Sequence, residues 1–210
     1  NRKLCAPADR ARSWESIDWK KAEAYVKKLQ MRIVKAQKDG HYSKVKTLQW
    51  LLTHSFYAKA LAVKRVTSNK GKNTAGVDHE LWKTQKGKFE AIDKLKRRGY
   101  KPQPLRRVYI PKKNGKKRPL GIPSFRDKLL QEAVRMILEA IYEPVFHDHS
   151  HGFRPNRSCH TALRQISSDF TGVVWFIEGD ITGCFDNINH EILIDILARK
   201  IKDSKFLNII

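Results

Sequence analysis

The stretch that decides the fold is Trp175–His190, WFIEGDITGCFDNINH. Val173, Val174, Trp175, Phe176, Ile177 and Ile181 are β-branched, aromatic or aliphatic, which predicts a strand buried on both faces. Alternation puts Val174, Phe176, Glu178 and Asp180 on one face and Trp175, Ile177, Gly179 and Ile181 on the other. Asp180 sits where the strand runs out of apolar neighbours, a position that suits a metal ligand better than a core. Taken alone, an aspartate near a strand end is more often a turn residue than a ligand. Gly183 then allows close approach of backbone and ligand, and Phe185 follows five residues after the aspartate. A helix is expected from about Asn189, a capping residue type, with Ile192, Leu193, Ile196, Leu197 and Ile201 along one face.

Outward from this segment, composition narrows the class. The 210 residues can hold one large domain or two smaller ones, and 40% hydrophobic content is enough to fold despite 30% charge. Cys5, Cys159 and Cys184 are scattered and form no CxxC pair, so neither a disulfide framework nor a zinc finger is indicated. No run of eighteen apolar residues and no signal peptide is evident; a soluble, cytoplasmic protein in a reducing compartment is expected. Net charge is +22. Residues 1–124 hold 33 basic and 9 acidic residues, net +24, whereas residues 125–210 hold 10 and 12, net −2. One lysine-rich helix is usually a solvated face; an excess sustained over half a chain asks for a polyanion, and nucleic acid is the natural one. An anionic membrane fits less well, because the basic helices lack a wide exposed apolar face.

Along the chain, Trp19, Ala22, Val26, Leu29, Ile33 and Ala36 predict a helix over about Asp18–Asp39, with Ser16 as cap and Gly40 as stop. A second helix is expected from about Tyr42 to Val66, with Val45, Leu48, Leu52, Phe56 and Val63 inward. Thr67–Asp78, TSNKGKNTAGVD, reads as a flexible loop carrying Lys70 and Lys72, small enough in its side chains to close over a nucleic-acid backbone. A third helix is expected around Glu80–Arg98, ending at Gly99. Leu105–Ile122 reads as a hairpin turning at Asn114-Gly115, with five of residues 112–118 basic. Such a tip can be a soluble edge with gatekeeper lysines, or a stiff support offering Lys and Arg to a triphosphate. Ser124–Tyr142 reads as a helix lined by Leu129, Ala133, Met136, Ile137, Ala140 and Ile141. Residues 151–166, HGFRPNRSCHTALRQI, read as an arginine-bearing turn into a helix with Ala162, Leu163 and Ile166 inward. Arg154 and Arg157 could each be a structural ion-pair partner.

Four blocks stand in order: the basic loop ending AGVD, RRVYIPKKNGKKRPLGIP, HGFRPNRSCHTAL and EGDITGCFDNINH. Together, from about Trp14 to Leu197, they resemble the N-terminal extension, fingers and first part of the palm of a group II intron-encoded reverse transcriptase/maturase. The segment at Asp180 is similar to that family's first catalytic motif, from which Thr182 and Asn189 depart; Asn156 stands where the family often has glycine. The resemblance implies an α+β right-hand polymerase divided into a helical extension (1–75), fingers (76–150) and partial palm (151–210). It implies RNA-directed DNA synthesis with two Mg²⁺ ions in the full-length enzyme. Asp180 would be catalytic and ligate both ions, helped by the Ile181 carbonyl. Lys112 and Arg118 would grip the incoming dNTP, the amides of Gly183, Cys184 and Phe185 would lie under its phosphates, and the Phe185 ring would exclude a ribose 2′-hydroxyl. Arg65, Lys70, Lys72, Arg154 and Arg157 become candidates for contact with template or intron RNA. The implied partners are group II intron RNA, an RNA template with DNA primer, and dNTP, in a bacterial or organellar ribonucleoprotein; a homodimer is compatible with it.

Two-metal nucleotidyl transfer needs several carboxylates, because one aspartate cannot neutralise two divalent ions. The resemblance places the others on a Tyr-x-Asp-Asp hairpin C-terminal to the quoted segment, and no such motif occurs in these 210 residues. Glu178 and Asp186 do not supply the missing pair. The chain is therefore expected to stop within its catalytic domain, to bind RNA and to extend no primer alone. The alternative is a non-catalytic RNA-binding maturase module that stabilises folded intron RNA; Asp180, Phe185 and the hairpin argue against it, since an RNA chaperone needs none of them. A third reading is a reverse transcriptase of a diversity-generating or CRISPR-linked system.

Overall fold

The computed structural model describes residues 11, 13–95, 100–113 and 115–210. It forms two compact units, one ending at Ile137 and one spanning Leu138–Ile210. The chain is mixed helical with one small antiparallel sheet, in keeping with a fingers and palm piece behind a helical N-terminal region.

In the first unit, helix α1 (Trp19–Lys38) carries the expected stripe, with Ala22, Val26, Leu29, Ile33 and Ala36 buried. Its cap is Asp18 rather than Ser16: the Asp18 carboxylate accepts from the Lys21 amide at 2.9 Å, while Ser16 bonds locally with Ser13. Gly40 at φ +69 ends it, and the amides of Gly40 and His41 turn back to the carbonyls of Gln37 and Ala36, closing the orphan carbonyls of the last turn. The expected single second helix is two, α2 (Tyr42–His54) and α3 (Phe56–Ser68). Ser55 breaks it by adopting an extended ψ of 132° and capping the Ala58 amide. α1 packs against α2 and α3, and α3 against α4 (Gln85–Lys94). α4 is shorter than expected because Thr84 caps it at the Gly87 amide, and its foreseen end at Arg98-Gly99 lies outside the described residues.

Strands β1 (Arg106–Pro111) and β2 (Lys117–Ile122) form the hairpin, with Ile110 opposite Arg118 and Val108 opposite Leu120. This register leaves residues 113–115 as a three-residue loop rather than a two-residue turn. The Gly115 amide donates to the Lys112 carbonyl (3.1 Å) with φ +76, the bulged geometry in which glycine closes such loops; Asn114 lies outside the described residues. Helix α5 (Phe125–Tyr142) follows, with Leu129, Met136, Ile137, Ala140 and Ile141 buried as its periodicity foretold, Ala133 half-buried, and Phe125, which the periodicity did not single out, buried as well.

The second unit contains α6 (Cys159–Asp169), α7 (His190–Ala198) and α8 (Ser204–Leu207). Ser158 and Thr161 make a reciprocal capping box on α6, and Asn189 caps α7 as expected. The foreseen strand over Val173–Ile181 does not form: the segment is unpaired and open to solvent, with Trp175 88% exposed. A strand needs neighbours for its amides and carbonyls. Among the described residues the only sheet is β1–β2. For the same want of an opposing layer, Leu163 and Ile166 of α6 and Ile192 and Ile196 of α7 are exposed rather than inward, while Ile201 and Phe206 are buried.

Candidate nucleic-acid interface

Lys70 and Lys72 stand exposed on a 3₁₀ turn, Lys70–Asn73, and not on a loose loop. What fixes the turn comes from far along the chain. The Lys128 ammonium donates to the Thr74 carbonyl at 2.6 Å, and burial lowers its pKa. Gly76 lies so close to α5 that a Cβ there would stand 2.6 Å from the Ser124 backbone. Ser124 is itself held, donating to Asp127 at 2.7 Å and accepting from the Asp127 amide. The buried Asp127 carboxylate also accepts from Tyr100, whose pKa is pushed up to about 12 by burial and by that bond. Sequence reasoning missed this clasp, although Ser-x-x-Asp before an apolar run is a helix-start signature. Arg65 bonds Glu132 at 3.4 Å yet remains mostly open to solvent, while the buried Glu132 carboxylate is also forked by Arg135.

On the hairpin, the even-numbered residues share one face. The Lys112 amide continues the ladder by donating to the Lys116 carbonyl at 2.7 Å. Lys112 and Arg118 are therefore on the same side, both exposed, on a hydrogen-bonded support. A fork and a point charge so held can meet two oxygens of one polyphosphate.

The arginine turn is a different matter. The Arg154 side chain is only 8% exposed. Its Nε and Nη2 donate to the Glu143 carboxylate (2.9–3.2 Å), and its Nη1 donates to the carbonyls of His147 and Ser150 (2.7 and 2.8 Å). The guanidinium also lies 5.3 Å from the Phe146 ring. Those contacts use nearly all of its donors, so Arg154 ties the loop together and has little left for an RNA phosphate: of the two readings from sequence, the geometry matches the structural ion-pair partner and not the RNA contact. Arg157 is freer, with Asp148 at 3.7 Å. Phe153 and Asn156 have φ of +56 and +58. Asparagine tolerates that region, so Asn156 can replace a glycine there without forcing the turn.

Asp180 is exposed, and among the described residues nothing hydrogen-bonds to it or pairs with it. Gly183 (φ +58) starts a tight turn in which its carbonyl accepts from the amides of Asp186 and Asn187, and Asn187 Nδ2 donates to the Thr182 carbonyl. Cys184 and Phe185 ride on this turn, Phe185 85% exposed. The second unit thus brings Asp180, Ile181 and the 183–185 turn together along one short stretch, with the carboxylate unencumbered. Among the described residues no group of three or more His, Cys, Asp or Glu is placed to hold a metal ion, and no helix is long and apolar enough to cross a membrane.

Comparison with known proteins identifies the family. Residues 14–95 match the N-terminal domain of reverse transcriptase, and residues 110–209 match reverse transcriptase (RNA-dependent DNA polymerase). The chain is 57% identical over 156 residues to the group II intron-encoded protein LtrA of Lactococcus lactis subsp. cremoris, covering 71% of this chain and 26% of LtrA. It is 49% identical over 154 residues to a 91 kDa protein in the cob intron of Schizosaccharomyces pombe, covering 71% and 19%. With YkfC of Escherichia coli it shares 41% over 162 residues, covering 72% and 42%. The chain spans about a quarter of the length of LtrA. It belongs to the group II intron-encoded reverse transcriptase/maturase family.

Proposed function

We propose that this chain binds structured intron RNA through its basic N-terminal part. In the whole protein it contributes fingers and palm to RNA-directed DNA synthesis and to splicing and retrohoming, but it does not polymerise by itself. On this reading residues 1–75 are the N-terminal extension, 76–150 the fingers and 151–210 part of the palm. The observation that carries it is the placement of exposed cations on anchored turns: Lys70 and Lys72 on a 3₁₀ turn fixed by Lys128 and Gly76, within a segment whose net charge is +24. Cations held in place lose less entropy on meeting phosphates than cations on a free loop.

Arg65 and Arg157 are further RNA contacts on this reading. Lys112 and Arg118 take the triphosphate of a dNTP, and the amides of Gly183, Cys184 and Phe185 lie beneath it, with the Phe185 ring against the sugar. Reverse transcriptases use magnesium. Here Asp180 and the Ile181 carbonyl could offer an ion two or three oxygens, short of the six a magnesium shell takes. No further carboxylate cluster stands among the described residues. The donors present do not fit a two-ion centre, and no catalytic step through the ion follows from this chain.

Filter binding to a structured intron RNA across a salt series tests the reading. Changing Lys70 and Lys72 together to Ala should weaken binding and make the slope of log K against log salt shallower by about one to two, close to one for each phosphate no longer neutralised. An unchanged slope would remove the turn from the interface. On a primed RNA template with dNTPs and Mg²⁺ the same protein should add no nucleotides; measurable extension would contradict the second half of the proposal.

A further inference from the structure

Away from these surfaces, α2 presents a second feature. Tyr42, Lys46, Trp50 and His54 follow at steps of four, so they climb one side of the helix. Val45, Leu48 and Leu52 are buried on the other side. All four ridge residues are exposed, and Trp50 is 48% so. The Trp50 and His54 rings are stacked, with centroids 4.3 Å apart and planes 21° from parallel. His54 Nδ1 lies 2.9 Å from the Trp50 carbonyl, so a proton on that nitrogen ties the imidazole to the helix and leaves Nε2 outward.

A single exposed tryptophan is ordinary surface. This one differs in two respects. One face of the indole is held against a second ring whose orientation is fixed by the backbone, so the ring is already ordered before anything binds. The charge along the chain around it is also mostly cationic: α2 contains Lys44 and Lys46 and no acid, and the end of α1 adds Lys35 and Lys38 against Asp39. An apolar protein surface gains nothing from such charge, and an anionic membrane asks for a wide exposed apolar face that α2 lacks; a polyanion carrying flat aromatic bases matches both features.

We propose that the Trp50–His54 pair is a stacking platform for an unpaired base of the bound RNA, with Lys46, one turn before Trp50, meeting the neighbouring phosphate. This rests on the RNA-binding reading above and adds where single-stranded character in the RNA is recognised.

The test is filter binding by the chain to two RNAs of equal length, a hairpin with an unpaired adenine loop and a fully paired duplex, using Trp50→Ala and Trp50→Phe. Trp50→Ala should weaken hairpin binding roughly five- to hundredfold at every salt concentration. It should leave the salt slope and the duplex affinity as in the wild type, because stacking releases no counterions. Trp50→Phe, which keeps a stacking face, should retain most of the affinity. Three results would overturn the proposal: Trp50→Ala binding both RNAs like the wild type, losing both equally, or losing as much in the Phe variant. Salt-insensitive binding by the wild type would instead remove the RNA reading itself, so the two failures are distinguishable.

Discussion

Phe125→Ala is expected to destabilise the unit ending at Ile137 by about 3–5 kcal/mol, the cost of removing a large buried ring. Phe125 is fully buried at the start of α5. Its ring meets Trp82 edge-on at 5.3 Å, and the Lys128 ammonium lies 4.5 Å from its centroid. Trp82 in turn donates to Glu80 at 2.8 Å, and Lys94 donates to the same carboxylate oxygen at 2.7 Å. The Lys94 and Trp82 bonds hold the Glu80 pKa below the usual carboxylate range. Deleting the ring leaves a cavity between the start of α5 and the segment before α4, where it meets Trp82. The consequence reaches the RNA surface, because Ser124 and Lys128, which fix the Lys70–Asn73 turn, flank Phe125 on the same helix start. Urea unfolding followed by circular dichroism measures the effect. A loss under about 1 kcal/mol would mean that this junction collapses without cost, against the packing argument.

The second large effect is at Arg154. Its replacement by Ala strands the Glu143 carboxylate and deprives the His147 and Ser150 carbonyls of their donor. Breaking a buried pair costs about 3–5 kcal/mol, and the figure is discounted to about 2–3 because Glu143 is a third open to water. Arg154→Lys should rescue little, since one ammonium cannot reproduce the fork to the carboxylate and the two carbonyl bonds together. The left-handed Phe153 beside it is the strained residue that these bonds hold in place, so the 143–158 loop should become sensitive to limited proteolysis. RNA affinity measured across salt should keep its slope in Arg154→Ala. A slope shallower by about one would return this arginine to the RNA contacts.

These two predictions also mark what a sequence can and cannot disclose. The α1 stripe was legible because its steps of three and four, the Asp18 region and Gly40 all agree. The hairpin was legible from its apolar runs and turn signal, but its register was not: the expected two-residue turn would set Lys112 opposite Lys117 and part it from Arg118, whereas the three-residue loop puts both on one side. The break at Ser55 was not read, because the apolar stripe runs through it from Leu52 to Phe56 and hides a capping serine. The rigidity of the Lys70–Asn73 turn comes from α5, whose Lys128 lies 54 residues beyond the Thr74 it bonds, and composition carries no sign of such a contact. Periodicity identified Val173–Ile181 as strand-capable, but pairing is a property of neighbours and not of the segment, and here no strand lies beside it. Arg154 shows the same limit for charge: the sequence leaves it open between ion-pair partner and RNA contact, and the carboxylate that decides, Glu143, lies eleven residues away. The site chemistry around Asp180 was read from motif likeness and local alternation; the strand that alternation assumed does not form, and the carboxylate is exposed together with the whole stretch around it.

The most direct measurement is the affinity of the unaltered chain for structured intron RNA as salt is raised from about 50 to about 200 mM. With some six to ten phosphates neutralised by the basic part, log K should fall linearly with log salt and the affinity should drop roughly a thousandfold or more. A flat dependence, or equal retention of RNA and of an uncharged control, would contradict the assignment of that part as the RNA-binding surface.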